Sequence, residues 1–269
     1  MGKFQNYSCP ICSDRGKLFV KERKGKYLFD SRGERSGHYD YFLCPICDIL
    51  FGHQVLDENA LEVGYSKALQ QESVNAAGTY KKILDKLKLS KDCKILDIGC
   101  GDGSFLQLLQ KDGFSNLTGI DPGAPTTFGP IKFYRKSFTK DVFSSKFDLI
   151  CSFMAMEHMI NPLEVLKNCF HLLNKQGHLL LAFHDFRYFF NYLFRKYSPI
   201  YDHQHLQLFS RTGAKNLVTK AGFKMLKIRG FSNHYPISYW LRFLGIDTKM
   251  NLKVGLNVGN FYLLAIADI

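Results

Sequence analysis

The sequence predicts an α/β fold built on a mostly parallel sheet, with a small metal-dependent module ahead of it. Three observations carry this reading. Beyond Lys94, short apolar runs alternate with amphipathic segments, the pattern of strands joined by crossover helices. One junction, Lys94-Ile95-Leu96-Asp97-Ile98-Gly99-Cys100-Gly101-Asp102-Gly103-Ser104-Phe105, sets three glycines at alternate positions after an apolar run. It reads as a buried strand, a tight turn and the start of a helix ending near Gly113. Upstream, Cys9-Pro10-Ile11-Cys12 and Cys44-Pro45-Ile46-Cys47 are near copies of one another.

The first elements belong to the cysteines. A C-x-x-C turn places two sulfurs on one side of an ion, and two such turns close a tetrahedral Zn²⁺ shell with no open position. Cys9, Cys12, Cys44 and Cys47 are therefore expected to hold a structural Zn²⁺. The segment from Gly16 to Phe42 reads as hairpin strands tied at their base by that ion, which would supply much of the module's folding free energy. Ser13 and Asp48 stand where a knuckle glycine is usual. Ile49-Leu50-Phe51 finishes this ribbon, and helical character runs from about Ala60 to Lys88. The division falls near Gly64 to Lys67, giving a zinc-ribbon-like module over residues 1–65 and a larger domain over 66–269. A redox dithiol would need a βαβ context that this region lacks.

In the larger domain, glycine lets the backbone approach a ligand closely, and the helix behind it offers unpaired N–H groups. A dinucleotide fingerprint would have its third glycine at position 104, where this chain has Ser104. Asp97, directly before the turn, suits a ligand carrying an ammonium group. Leu117-Thr118-Gly119-Ile120-Asp121-Pro122 is a second apolar run ending in an acid, about 20 residues on, where a ribose-binding acid belongs. Ile131–Tyr134 and Lys146–Phe153 read as strands. Asn161 reads as the N-cap of a helix to about Leu173, with Pro162 at its first position and Glu164 completing a capping box. Gly177 marks a turn and His178–Phe183 a strand. Ser210 caps a helix ending at Ala221-Gly222, and Phe223–Ile228 and Phe261–Ala267 are the last strands. The aromatic stretch from Phe231 to Val258, with Trp240, resists assignment and is taken as an insertion covering the substrate.

The D-I-G-C-G-D-G turn followed by G-I-D-P resembles the cofactor site of class I S-adenosylmethionine-dependent methyltransferases. The resemblance implies a Rossmann-like seven-stranded methyltransferase sheet with an antiparallel last strand. It implies cofactor binding by Asp97, Gly99, Cys100, Gly101, Gly103, Asp121 and Pro122, with Ser137 and Phe138 framing the adenine and Phe153 at the next strand end. Glu157-His158 resembles the E-H pair that borders the pocket in small-molecule methyltransferases of this class. His184-Asp185 ends a strand at a typical substrate-facing place. The segment Tyr201–Ser210 is similar to the H-L-x-x-F-S stretch of sugar C-methyltransferases, which share a four-cysteine zinc module; there a Glu-His pair serves acid–base chemistry. His205 matches the histidine, while Gln204 replaces the glutamate, which speaks against C-methylation. His158, His184 and His205 are thus the candidate catalytic residues, with His203 nearby.

Composition narrows the partners. With 36 basic against 24 acidic residues the net charge is +12, which favours nucleic acid, nucleotide-sugars, phospholipid head groups or phosphorylated substrates. Lys21, Arg23, Lys24 and Lys26 read as a solvated hairpin face. No apolar run approaches the roughly 18 residues of a membrane span, and the N-terminus has no secretory core, so a cytoplasmic location is expected. The leading expectation is methyl transfer to a sugar, nucleotide-sugar or glycan precursor. An RNA methyltransferase gripping its substrate through a basic zinc ribbon is the alternative, and a catalytically silent binding fold the third.

Overall fold

The computed structural model describes residues 7–26, 36–38, 40–52, 73–127, 129–195, 198, 200–202, 204–238, 248 and 252–268. The expected division at 64–67, helical character over 60–72, His203 and Trp240 lie outside them.

In the N-terminal part, β1 (Lys17–Val20), β4 (Tyr41–Cys44) and β5 (Ile49–Gly52) form an antiparallel sheet, and β2 (Arg23–Lys26) pairs with β3 (Ser36–His38) as a separate ribbon. The knuckle residues Ser13 and Asp48 both adopt left-handed φ, 62° and 54°. The backbone there is the one glycine would take, and short polar side chains occupy it.

The larger sheet starts with β6 (Lys94–Ile98), preceded by α1 (Ser73–Leu84) and a 3-10 turn at Asp85–Leu87. The glycine turn leads into α2 (Ser104–Lys111), then β7 (Asn116–Ile120), β8 (Lys132–Tyr134) and β9 (Phe147–Phe153). The next helix, α3 (Pro162–Leu172), starts as expected: Asn161 accepts from the Glu164 N–H at 3.2 Å, and its Nδ2 donates back to the Glu164 carboxylate at 3.1 Å. It runs directly into β10 (Leu173–His184). The turn expected at Gly177 becomes an irregularity inside that strand, where register jumps between Leu173 and His178 and Gln176 takes φ 63°.

Then follow α4 (Phe189–Phe194), β11 (Gln207–Phe209), α5 (Arg211–Lys220), β12 (Lys224–Gly230), the hairpin β13 (Asn233–Pro236) and β14 (Lys253–Leu256), and β15 (Asn260–Ile266). The main sheet has the order β12-β15-β10-β9-β6-β7-β8. From β8 to β10 all pairs are parallel, and β15 lies antiparallel between β10 and β12. Ile95, Leu96, Leu149, Ile150, Leu180 and Leu181 are fully buried in its middle. A parallel sheet covered on both faces needs such continuous apolar strands. Among the described residues no helix is long and apolar enough to cross a membrane.

The ribbon does not stop at β5. Gln207, Leu208 and Phe209 of β11 pair antiparallel with Phe51, Leu50 and Ile49, so a strand from the larger domain completes the small sheet. Helix α5 closes over both knuckles. Ser210 caps it by accepting from Gly213 N–H at 2.8 Å and donates to the Asp48 carbonyl at 3.0 Å, while Lys220 Nζ donates to the Ile11 carbonyl at 3.0 Å. A Cβ on Gly213 would lie 2.3 Å from the Asp48 carbonyl oxygen, so this approach requires glycine.

Candidate functional site

At the carboxyl edge of the sheet, the three turn glycines divide two tasks. A Cβ on Gly99 would meet Ala155 Cβ at 2.4 Å, and one on Gly103 would meet the Phe133 ring at 2.6 Å. Those two let neighbouring elements pack. Gly101, with φ 53°, faces open space: nothing lies within 4 Å of its would-be Cβ. It is the position where a ligand can approach bare backbone. Asp121 ends β7 and accepts from the Gly101 and Gly123 N–H groups at 3.2 and 2.6 Å. Burial raises its carboxyl above the ordinary range, against those two hydrogen bonds. Asp97 is buried, its Oδ1 has no partner, and burial together with the Asp121 charge pushes its pKa up to about 8.

The remaining cofactor candidates fall around this turn with different exposures. The Cys100 thiol points inward, against Gly119, and burial raises it well above its ordinary range. Its side chain is therefore packing, and only its backbone borders the cradle. Pro122 is half-buried, Ser137 exposed, and Phe138 half-buried beside Phe143 at 6.4 Å. Phe153 is half-buried, with one face stacked on Tyr80 at 4.2 Å and an edge contact to Phe105 at 4.9 Å.

At and past the carboxyl ends of β9 and β10, the structure brings all three candidate histidines together. The His205 ring lies 4.7 Å from that of His158 and 5.4 Å from that of His184. His158 Nδ1 donates to the Gln204 carbonyl at 2.8 Å. His205 Nδ1 donates to the Ile200 carbonyl at 2.7 Å, and burial lowers its pKa, so the ring is neutral with Nε2 carrying the lone pair. Glu157, fully buried in a 3-10 turn (Met156–His158), serves His184 rather than its chain neighbour. Its Oε1 accepts from the His184 backbone N–H at 2.8 Å and stands 3.4 Å from His184 Nδ1. That second distance exceeds a formed hydrogen bond, and a small ring rotation would close it.

The loop under His205 is held by the N-terminal sheet. Buried Tyr41 of β4 places its hydroxyl 2.9 Å from the Asp202 carbonyl and 2.7 Å from that of His205. Asp202 accepts from the N–H groups of Gln204 and His205 at 2.8 and 2.9 Å. Gln207 Nε2 donates to the Met156 carbonyl at 2.9 Å, tying β11 to the turn that carries Glu157.

The four knuckle sulfurs all lie within 4.8 Å of one another, three of the residues buried. Ile11 and Cys47 N–H groups point at Cys9 Sγ and Cys44 Sγ, at 3.4 and 3.3 Å, as they would toward thiolates. Burial pushes the Cys9 thiol up to about 12, so a cation is needed to keep it ionised at neutral pH. This cluster can hold a metal ion. Cys93, Cys100, Cys151 and Cys169 are free buried thiols.

Sequence reasoning named Asp97, Glu157 and His184 but missed Ser152 and Asn260, which share with them one set of buried polar atoms. Asp97 Oδ1, Ser152 Oγ, Glu157 Oε2, His184 Nδ1 and Asn260 Oδ1 are all buried without a partner. Their residues sit on or just past the carboxyl ends of β6, β9 and β10, or at the adjoining start of antiparallel β15. Buried polar atoms cost free energy when unpaired, so this edge is built for a polar ligand. No local pattern announces Ser152 or Asn260; only the strand register does.

Residues 70–228 match the family described as a methyltransferase domain. A tRNA U34 carboxymethyltransferase of Sulfurimonas denitrificans is 28% identical over 103 residues, 34% of this chain and 34% of that protein. A ubiquinone biosynthesis O-methyltransferase of Pseudomonas aeruginosa is 25% identical over 168 residues, 58% of this chain and 65% of that one. The chain thus spans about a third of the former's length and under two thirds of the latter's. A chain in the complex containing the Haloferax volcanii Trm112 methyltransferase activator superposes with a TM-score of 0.55 at 16% identity, covering 80% of this chain and 100% of its own, a likeness of fold. The family match spans more than half of the 269 residues and meets the sheet order and glycine cradle already described: the chain belongs to the methyltransferase-domain family.

Proposed function

We propose that this chain is an S-adenosylmethionine-dependent methyltransferase that methylates a hydroxyl or amine of a small polar molecule, a sugar, nucleotide-sugar or glycan precursor, with His184 taking the proton. The Glu157–His184 pair carries this reading. The buried Glu157 carboxyl group, 3.4 Å from Nδ1, would orient the ring once a small rotation closes that gap. It would leave Nε2 to act as the base, a role suited to histidine at neutral pH. Neutral His205 lines the same cluster with His158, and the two can hold the acceptor's other polar groups, as a polyhydroxylated molecule requires.

The cofactor supplies the methyl group from its sulfonium. Asp97 would take its ammonium, the open backbone at Gly101 its close approach, and Asp121 its ribose hydroxyls, with Pro122, Ser137, Phe138 and Phe153 around the base. The chain's own work is then alignment and exclusion of water, with His184 removing one proton. The four-cysteine cluster fits a structural Zn²⁺: its donors are all thiols, and it leaves no open coordination position for chemistry.

The test is transfer of labelled methyl from S-adenosylmethionine into nucleotide-sugar and glycan-precursor pools by zinc-loaded enzyme. Incorporation that disappears in His184→Ala supports the reading; none with folded, cofactor-binding protein refutes it. The tRNA substrate in the first relative's name and the net charge of +12 support an RNA acceptor as the second reading. Against it, the four-cysteine module spends one edge and both knuckles on the larger domain. RNA binding that weakens steeply with salt would favour it.

A further inference from the structure

Helix α4 has its amphipathicity inverted. Its one buried residue is Asn191, whose Nδ2 donates to the Asp185 and Val258 carbonyls at 2.9 and 3.2 Å and whose Oδ1 accepts from Ser198 Oγ at 2.8 Å. The other five residues are large, apolar and outward: Phe189, Phe190, Tyr192, Leu193 and Phe194 are 67, 49, 42, 60 and 50% exposed. These are half of the large hydrophobic residues exposed among the described ones. Phe190 meets Phe189 edge-on at 5.4 Å and lies parallel to Phe194 at 6.3 Å, so these three rings form one knob. A contiguous apolar patch of this kind marks a surface that is covered when the protein works.

One edge of the patch is cationic. Arg195 follows the helix with its guanidinium 5.1 Å from the Tyr192 ring and 5.2 Å from the Phe19 ring, whereas Arg187, ahead of the helix, is paired with the Asp48 carboxylate. We propose that α4 docks on an anionic lipid bilayer, its rings entering the headgroup boundary while Arg195 and the net charge of +12 draw the chain to the surface. Single-stranded RNA fits less well, because it needs cations between the rings to follow the phosphates. The helix carries none, and its rings already pack on each other. A second copy of the chain fits less well too, since two molecules of net charge +12 would meet through a patch edged by Arg195. α4 follows His184 after only Asp185–Tyr188, so docking would set the histidine cluster beside the bilayer. The docking itself does not depend on the acceptor's identity.

The test is co-sedimentation of the full chain with phosphatidylcholine vesicles, pure or containing about one third phosphatidylglycerol. The wild type is expected to pellet with the anionic vesicles and to remain largely in solution with the neutral ones. The double variant Phe189→Ser/Leu193→Ser is expected to lose at least about tenfold in partitioning, with calorimetric binding of S-adenosylmethionine unchanged as proof of folding. The proposal is overturned if the wild type ignores anionic vesicles at low salt or if the variant pellets equally well. It is overturned equally if the substitutions dissolve a wild-type dimer, or abolish binding of single-stranded RNA, in a protein that shows no vesicle binding.

Discussion

Binding of S-adenosylmethionine should release protons, and Asp97 sets how many. Its carboxyl is pushed up to about 8 by burial and by the nearby Asp121 charge. At pH 7 such a group is about 90% protonated in the empty enzyme. An ammonium brought against it favours the ionised form and drops the pKa well below 7, so about 0.9 proton leaves Asp97. The ligand's own α-amino group, with a solution pKa of about 7.7–8.0, takes up about 0.1–0.2 proton when fixed as ammonium. The net release at pH 7 is therefore about 0.7–0.8 proton per site.

Isothermal titration calorimetry in two buffers of different ionisation enthalpy measures this number directly. The same linkage fixes the pH profile of affinity. Kd should rise about tenfold per pH unit below 8, as Asp97 holds its proton, and rise again above 8 as the ligand's amine loses its own. Asp97→Asn should remove the release and leave only the small uptake. If the wild type binds at pH 7 with no net release, or if Asp97→Asn still releases protons, Asp97 does not receive the ammonium.

Gly101→Val should abolish detectable cofactor binding, since its side chain would fill the open approach, at the cost of about 1 kcal/mol of backbone strain; Gly99→Ala should destabilise by about 1–3 kcal/mol through its contact with Ala155. Thermal melts and calorimetry on the two variants separate these effects. His184→Ala should lower kcat by about 10²- to 10⁴-fold with cofactor affinity retained, and Glu157→Gln by a smaller factor; single-turnover rates beside calorimetry decide, and equal loss of cofactor binding would count against the assignment. The four-cysteine cluster should carry about one Zn²⁺ per chain by elemental analysis. Cys44→Ser should lose that ion and lower the melting temperature of the whole chain, because β11 and α5 rest on the knuckles; an unchanged melting transition would show the module to be energetically separate.

The glycine cradle was legible because its signal is local. Strand, turn and helix N-terminus follow within twelve residues, Lys94 to Phe105, and each residue's type suffices for its backbone conformation. The cysteine knuckles were legible for the same reason, even with Ser13 and Asp48 in the left-handed places. Glu157 was half legible. Its adjacency to His158 suggests a pair, but successive side chains in a 3-10 turn diverge by about a third of a turn, which sends Glu157 inward to His184.

β11 was not legible as a strand at all. Gln207, Leu208 and Phe209 are buried at every position, so no alternation betrays them, and their partner strand lies near the other end of the sequence. That hidden pairing changes what the cysteines do. His205 sits two residues before β11 and Ser210 directly after it, while Tyr41 and Asp48 reach those two places from either end of the β4–β5 hairpin. The hairpin is set by the knuckle that contains Cys44 and Cys47. Ordering that knuckle therefore orders the loop that carries His205 of the histidine cluster. The four-cysteine cluster and the histidine cluster are joined through one sheet, so the N-terminal ribbon positions the candidate histidines by geometry, whatever else it touches.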